Sequence, residues 1–158
     1  MSFFINKKAF TLIEIMVVIG IMSLLAAIAI PQMLRSRMNA NELAAIAGVR
    51  TINTSCQGYY NSVSPHSYPP NLTALNNTFP PYIDNVLANA VDINHSKQGY
   101  YFTFTPIDPE HFTIIAWPVT FGRTGARNFF VNELGAIYYN SQNGLAPVPG
   151  EEGTFVAQ

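Results

Sequence analysis

From Phe10 to Pro31 the chain reads FTLIEIMVVIGIMSLLAAIAIP, about 22 residues with a single charge, Glu14. At 1.5 Å per residue, a helical run of that length matches the ~30 Å hydrocarbon core of a bilayer. A carboxylate inside such a run is costly in lipid and is kept where it has a partner or a task. Three readings compete for residues 1–31. A secretory signal has an apolar core of about 7–15 residues and then a small-residue cleavage site. This run is longer, although AAIAIP supplies small residues. A plain membrane anchor fits the length but leaves Glu14 without a role. A short leader removed ahead of the run would keep the whole run in the mature chain.

The rest of the composition narrows the function classes. The 158 residues suit one domain, 49% hydrophobic and 11% charged, where an average soluble domain is about 25% charged. A net charge of −1 supplies no basic patch to neutralise phosphates, so nucleic acid is not an expected partner. One cysteine, Cys56, excludes an internal disulfide, and with His66, His95 and His111 scattered it offers no zinc spacing. There is no P-loop, G-x-S-x-G or H-E-x-x-H, so a structural role is expected rather than an enzyme. No catalytic residue, metal or cofactor is assigned. Asp92, Asn94 and Asp108 are oxygen ligands of the kind calcium takes, but with no D-x-D-G run they remain a weak candidate.

Lys7-Lys8-Ala9-Phe10-Thr11-Leu12-Ile13-Glu14 resembles the processing motif of type IV prepilins and type II secretion pseudopilins. The family usually has Gly at the position of Ala9; both residues are small. The resemblance implies cleavage between Ala9 and Phe10 by a membrane prepilin peptidase, which also methylates the new amine of Phe10. Glu14 then becomes the fifth mature residue and Pro31 the twenty-second, where the family commonly has proline. On this reading the Glu14 carboxylate meets the Phe10 amine, within one chain or on a neighbouring copy. Pairing lowers the cost of both charges in an apolar setting, and between copies it sets the axial register of a filament, as a buried polar residue does in a coiled coil. Glu14 and Phe10 are therefore the expected assembly residues. The basic pair Lys7 and Lys8 is expected on the cytoplasmic side.

Beyond Pro31 an apolar stripe continues at steps of three or four through Leu34, Met38, Ala45, Val49, Ile52, Cys56 and Tyr59. Arg35, Arg37, Asn39, Asn41, Glu42 and Arg50 are assigned mostly to the other faces. One helix is predicted from about Thr11 to Asn61, with Gly20 and Pro31 as candidate kinks. Residues 64–98 are rich in Pro, Asn and Ser and read as a long connection with one helical turn around Ile83–Ala90. Four strands follow, as two hairpins: Gly99–Pro106 with His111–Pro118, and Arg127–Asn132 with Gly135–Tyr139, the second pair joined by a tight Glu-Leu turn. Tyr101, Phe102, Phe104, Phe112, Ile114, Trp117, Phe129 and Val131 are the candidate sheet core, some of them facing outward by alternation. The tail from Asn143 reads as a surface loop or strap.

The expected fold class is α+β: a long N-terminal helix packed on an antiparallel sheet of about four strands. The expected organisation is a leader at 1–9, a membrane or filament-core half-helix at 10–31 and an amphipathic half-helix at 32–63. A variable loop at 64–98 and the sheet with its tail at 99–158 complete it. By resemblance the partners are further copies of the chain in a helical filament, the peptidase, the inner membrane, and an assembly platform with its ATPase motor. A short periplasmic pseudopilus of type II secretion is the alternative within the family. A monomeric membrane-anchored binding module is the alternative outside it.

Overall fold

The computed structural model describes residues 10–147 and the strand Thr154–Val156, so the expected leader, including Ala9, lies outside the described residues. Helix α1 spans Leu12–Ser62, within one residue of the predicted helix at each end. Thr11 opens it with a capping box. Its hydroxyl accepts from the Glu14 N–H at 3.3 Å, and its own N–H and hydroxyl each donate to Glu14 Oε2 at 2.8 Å. The helix runs through Gly20 and Pro31 without interruption.

Two contact units divide the chain after Ser36. In the first, every described residue is exposed, including Leu12, Ile19, Leu24 and Ile28. Leu34 belongs to this unit and is exposed, so the buried part of the predicted stripe begins later than expected.

The second unit holds the rest of α1, two short helices and the sheet. Strands β1 (Tyr100–Asp108), β2 (His111–Pro118), β3 (Asn128–Asn132), β4 (Tyr138–Asn140) and β5 (Thr154–Val156) pair antiparallel in chain order. The predicted hairpins are present, with two corrections. The β3–β4 connection is longer than a tight Glu-Leu turn: Gly135 takes a φ of +80° and the chain re-enters the sheet at Tyr138. Part of the tail is a strand rather than a loop, because it supplies the edge partner that β4 otherwise lacks.

Alternation sorts the aromatic residues. Tyr100 and Phe102 of β1, Phe112, Ile114 and Ala116 of β2, and Phe129 and Val131 of β3 are buried in one cluster with Ala45, Val49, Ile52 and Cys56 of α1. Tyr101 and Trp117 are cross-strand partners on the opposite face and are half-buried, so they leave the predicted core, while Phe104 packs at its edge. Each large side chain fully buried here stabilises the unit by roughly 1.5–3 kcal/mol. Close approach of helix and sheet requires Gly48: a Cβ there would lie 2.7 Å from Cζ of the buried Phe102.

The predicted turn around Ile83–Ala90 is helix α3 (Asn85–Asn89), capped by Asp84, whose Oδ1 accepts from Leu87 N at 2.6 Å. Helix α2 (Leu72–Asn76) was not anticipated. Asn71 caps it through Ala74 N at 2.8 Å, and its Leu72 and Leu75 complete the core. Five residues are too few for a periodic signal, and the prolines and asparagines around it read as loop.

Candidate assembly site

The first unit presents a helix that is apolar on all sides and unburied. Among the described residues, α1 is the one helix long and apolar enough to cross a membrane. Glu14 is its first charged side chain. The structure places Glu14 one turn from Phe10, and the two share a shallow cavity with Ile13, Val17 and Val18. Glu14 Oε2 takes both capping bonds from Thr11, while no hydrogen bond among the described residues ends on Oε1. The carboxylate is thus held at the helix start by a residue of its own chain and still has lone pairs for an incoming cation. Sequence reasoning identified Phe10 and Glu14. It missed Thr11 as the cap, although T-x-x-E ahead of an apolar run is the sequence signature of a capping box.

A second carboxylate, Glu42, controls the other unit. It was assigned to a polar face but is 3% exposed. Its Oε1 accepts from Ala126 N at 2.8 Å, and its Oε2 accepts from Arg127 Nε at 2.7 Å and Nη2 at 2.5 Å. Arg127 therefore pairs with Glu42 of α1. The guanidinium also lies over the rings of Phe129 and Tyr139, at 5.8 and 5.1 Å. Tyr100 Oη donates to the Arg127 carbonyl at 2.8 Å. Also on α1, Asn41 donates to Thr124 O, Asn53 to Asn132 O and Gln57 to Glu133 O. These bonds fix the register of the helix against the sheet with a directionality that apolar packing lacks. The missed signal lies in the spacing: Met38, Glu42, Ala45, Val49, Ile52, Cys56 and Tyr59 form an unbroken three-four series that passes through Glu42.

The remaining candidates are placed as follows. Cys56 is buried in the core, and loss of solvation pushes its thiol pKa up to about 12. Asp92 and Asp108 sit in separate exposed turns. Asp92 accepts from the backbone of Asn94 and His95, and Asp108 from the backbone of Glu110, so both are occupied within their own turns. Each carboxylate also meets a histidine three residues on, His95 at 3.0 Å and His111 at 2.8 Å.

The Asp108–His111 turn makes a pH prediction. The backbone bond from Glu110 and then the bond to His111 hold Asp108 below its ordinary 3.8. The bond to Asp108 raises His111 above its ordinary 6.5. The His111 contribution is complete below 6.5 and is lost as pH rises through its raised folded value. The Asp108 contribution is present above 3.8 and is lost as pH falls through its lowered folded value. The β1–β2 turn is therefore expected to be tightest between about pH 4 and 6.5. Histidine NMR titration checks this: His111 titrates above 6.5, and Asp108→Asn lowers it towards the ordinary value.

Comparison with known proteins bears on the N-terminal segment. Residues 5–30 match the prokaryotic N-terminal methylation motif. Over 42 residues the chain is 48% identical to the type IV wide pilus major component PilA4 of Thermus thermophilus. That match covers 27% of this chain and 32% of the relative, so the chain spans about a third of the relative's length in alignment. No solved structure matches the chain. A long N-terminal helix followed by an antiparallel sheet is a pilin-like arrangement. The methylation motif and the similarity to PilA4 make the N-terminal segment similar to that of type IV pilins.

Proposed function

We propose that the chain is a structural subunit of a type IV pilus-like filament. The observation that carries this reading is the placement of Glu14. It lies five residues beyond the Ala9/Phe10 junction of a methylation motif, at the start of a helix exposed and apolar on every side. The precursor is inserted in the inner membrane with its leader in the cytoplasm and its sheet-bearing unit in the periplasm. The prepilin peptidase cuts between Ala9 and Phe10 and methylates the Phe10 amine. An assembly platform and its motor then draw the subunit out of the bilayer. The apolar half-helix exchanges lipid contact for contact with other copies, so the net gain comes from packing and charge pairing rather than from transfer out of water. Contacts of this kind that do not close a ring build an open helical polymer. Gly20 and Pro31, neither of which supports the helix as other residues would, are the positions where the half-helix bends or unwinds in the polymer.

Similarity to a wide-pilus component favours an extracellular fibre over a secretion pseudopilus. Two measurements test the proposal. Intact mass of the mature protein is expected to begin at Phe10 with one added methyl group, and a chain that keeps Met1 contradicts the processing step. Electron microscopy of cells is expected to show long fibres that disappear on deletion. Loss of exoprotein secretion without fibres would instead assign the chain to a pseudopilus. A monomeric anchored module would give no crosslinks between neighbouring α1 helices.

A further inference from the structure

A groove of about 240 Å³ lies in the second unit between α3 and the loop that follows it, lined by Asn85, Val86, Asn89, Asn94, His95 and Ser96. None of these six side chains is a lysine, arginine, aspartate or glutamate. Both walls are pinned. On the helix wall, Asn89 Nδ2 donates to Asn85 O at 2.8 Å and to Asn85 Oδ1 at 2.7 Å. That contact occupies the Asn85 amide oxygen and leaves its nitrogen as a donor. On the loop wall, Asp92 Oδ1 accepts from the backbone of Asn94 and His95, each at 2.8 Å. Lys97 Nζ then ties the end of the loop to Asp84, the α3 cap, at 2.7 Å. Of the nearest charged groups, Lys97 is paired with Asp84, and the Asp92 carboxylate is engaged by the loop backbone and by His95 Nδ1.

Within this frame the side chains of Asn94 and Ser96 make no hydrogen bond among the described residues. His95 spends Nδ1 on Asp92 and keeps Nε2. The lining thus offers both donors and acceptors with no lysine, arginine or carboxylate among its side chains, beside an apolar surface from Val86, which is 61% exposed. An anion would find no free lysine or arginine there, and the nearby carboxylate, Asp92, already accepts from Asn94 N, His95 N and His95 Nδ1. A purely apolar ligand would strand the amides. A neutral molecule with hydroxyls around a ring and a C–H face satisfies both parts of the lining. The volume is below the roughly 300–1,000 Å³ of drug-sized sites and holds about one such ring.

We infer that this groove is a binding site for a neutral saccharide, one pyranose ring deep. The Asn85, Asn94 and Ser96 side chains and His95 Nε2 meet its hydroxyls, and Val86 meets its C–H face. A ring of about a dozen heavy atoms in an open groove binds with a Kd on the order of millimolar. The inference concerns the second unit alone and stands or falls independently of filament assembly.

Saturation-transfer NMR on the purified full chain tests it, in a zwitterionic detergent because alkyl glycosides would compete. The probes are the methyl glycosides of glucose, galactose, mannose and N-acetylglucosamine, with glycerol as a control. Transfer to the ring protons of at least one glycoside is expected. It should fall at least roughly fivefold in Asn94→Ala, which removes a hydroxyl contact of the kind that dominates specificity in such sites. Val86→Asp should abolish transfer to the C–H face. Both positions are exposed, and circular dichroism should be unchanged by either substitution. The inference is overturned by silence from all four glycosides, by equal transfer to glycerol, or by transfer that survives both substitutions.

Discussion

Replacing Glu14 with alanine is expected to leave membrane insertion and removal of the leader intact while filament yield falls roughly tenfold or more. Insertion is favoured when a charge leaves the apolar run. The proposed cleavage depends on the preceding motif, which the substitution does not touch. Assembly differs under the proposed pairing of Glu14 with the Phe10 amine, because removing one partner of a desolvated charge pair leaves the other unpaired, and that penalty recurs at every subunit added. The structure adds a control. Thr11 caps the helix through Glu14, so Glu14→Ala also removes a capping box. Glu14→Gln keeps an acceptor for the Thr11 N–H but loses the charge. If charge pairing drives assembly, the glutamine variant assembles as poorly as the alanine variant. If capping is what matters, it assembles normally and the pairing argument fails. Sheared fibre yield, compared with total mature subunit in membranes, separates the two.

Glu42→Ala has the second large effect, on stability of the sheet-bearing unit. The substitution strands the Ala126 N–H and leaves Arg127 beside two aromatic rings with no other ion pair among the described residues. Breaking a buried pair from one side costs about 3–5 kcal/mol. Because the Arg127 side chain is 35% exposed and can be partly rehydrated, the expected loss is near the lower end, about 3 kcal/mol. Against a typical domain stability of about 5–15 kcal/mol, that is a large share. Urea unfolding followed by the fluorescence of Trp117 in β2 reports on this unit directly. Glu42→Gln retains an acceptor for Ala126 N and is expected to fall between wild type and Glu42→Ala. A midpoint for Glu42→Ala within error of wild type would show that the Glu42 pair does not contribute to holding helix against sheet. The two glutamates therefore separate by readout: the Glu14 substitution is read in polymer yield, the Glu42 substitution in the unfolding midpoint.

Some of the fold was legible because it is written in local periodicity. The steps from Ala45 to Tyr59 specify which side of α1 is buried, and β1 and β2 emerge from aromatic alternation bounded by Asp108-Pro109. Other features resisted because their cause is remote in sequence. Helix α2 needs a core to receive Leu72 and Leu75. Strand β5 needs the open edge of β4. Nothing in either segment read alone distinguishes it from a loop. The groove beside α3 is of the same kind: its asparagines resemble turn residues until Lys97 meets Asp84 and closes the loop against the helix.

The amino-acid sequence by itself determined the segment that carries the family signature. A motif, a carboxylate at fixed spacing and an unbroken apolar run are properties of neighbours along the chain, and helix geometry converts them directly into structure. The tertiary structure alone decided what Glu42 does. A carboxylate on an apolar stripe is tolerable when a donor reaches it, and its donors, Ala126 N and Arg127, stand more than eighty positions away. Charge burial depends on which partner arrives in space, and that is settled when helix and sheet pack together.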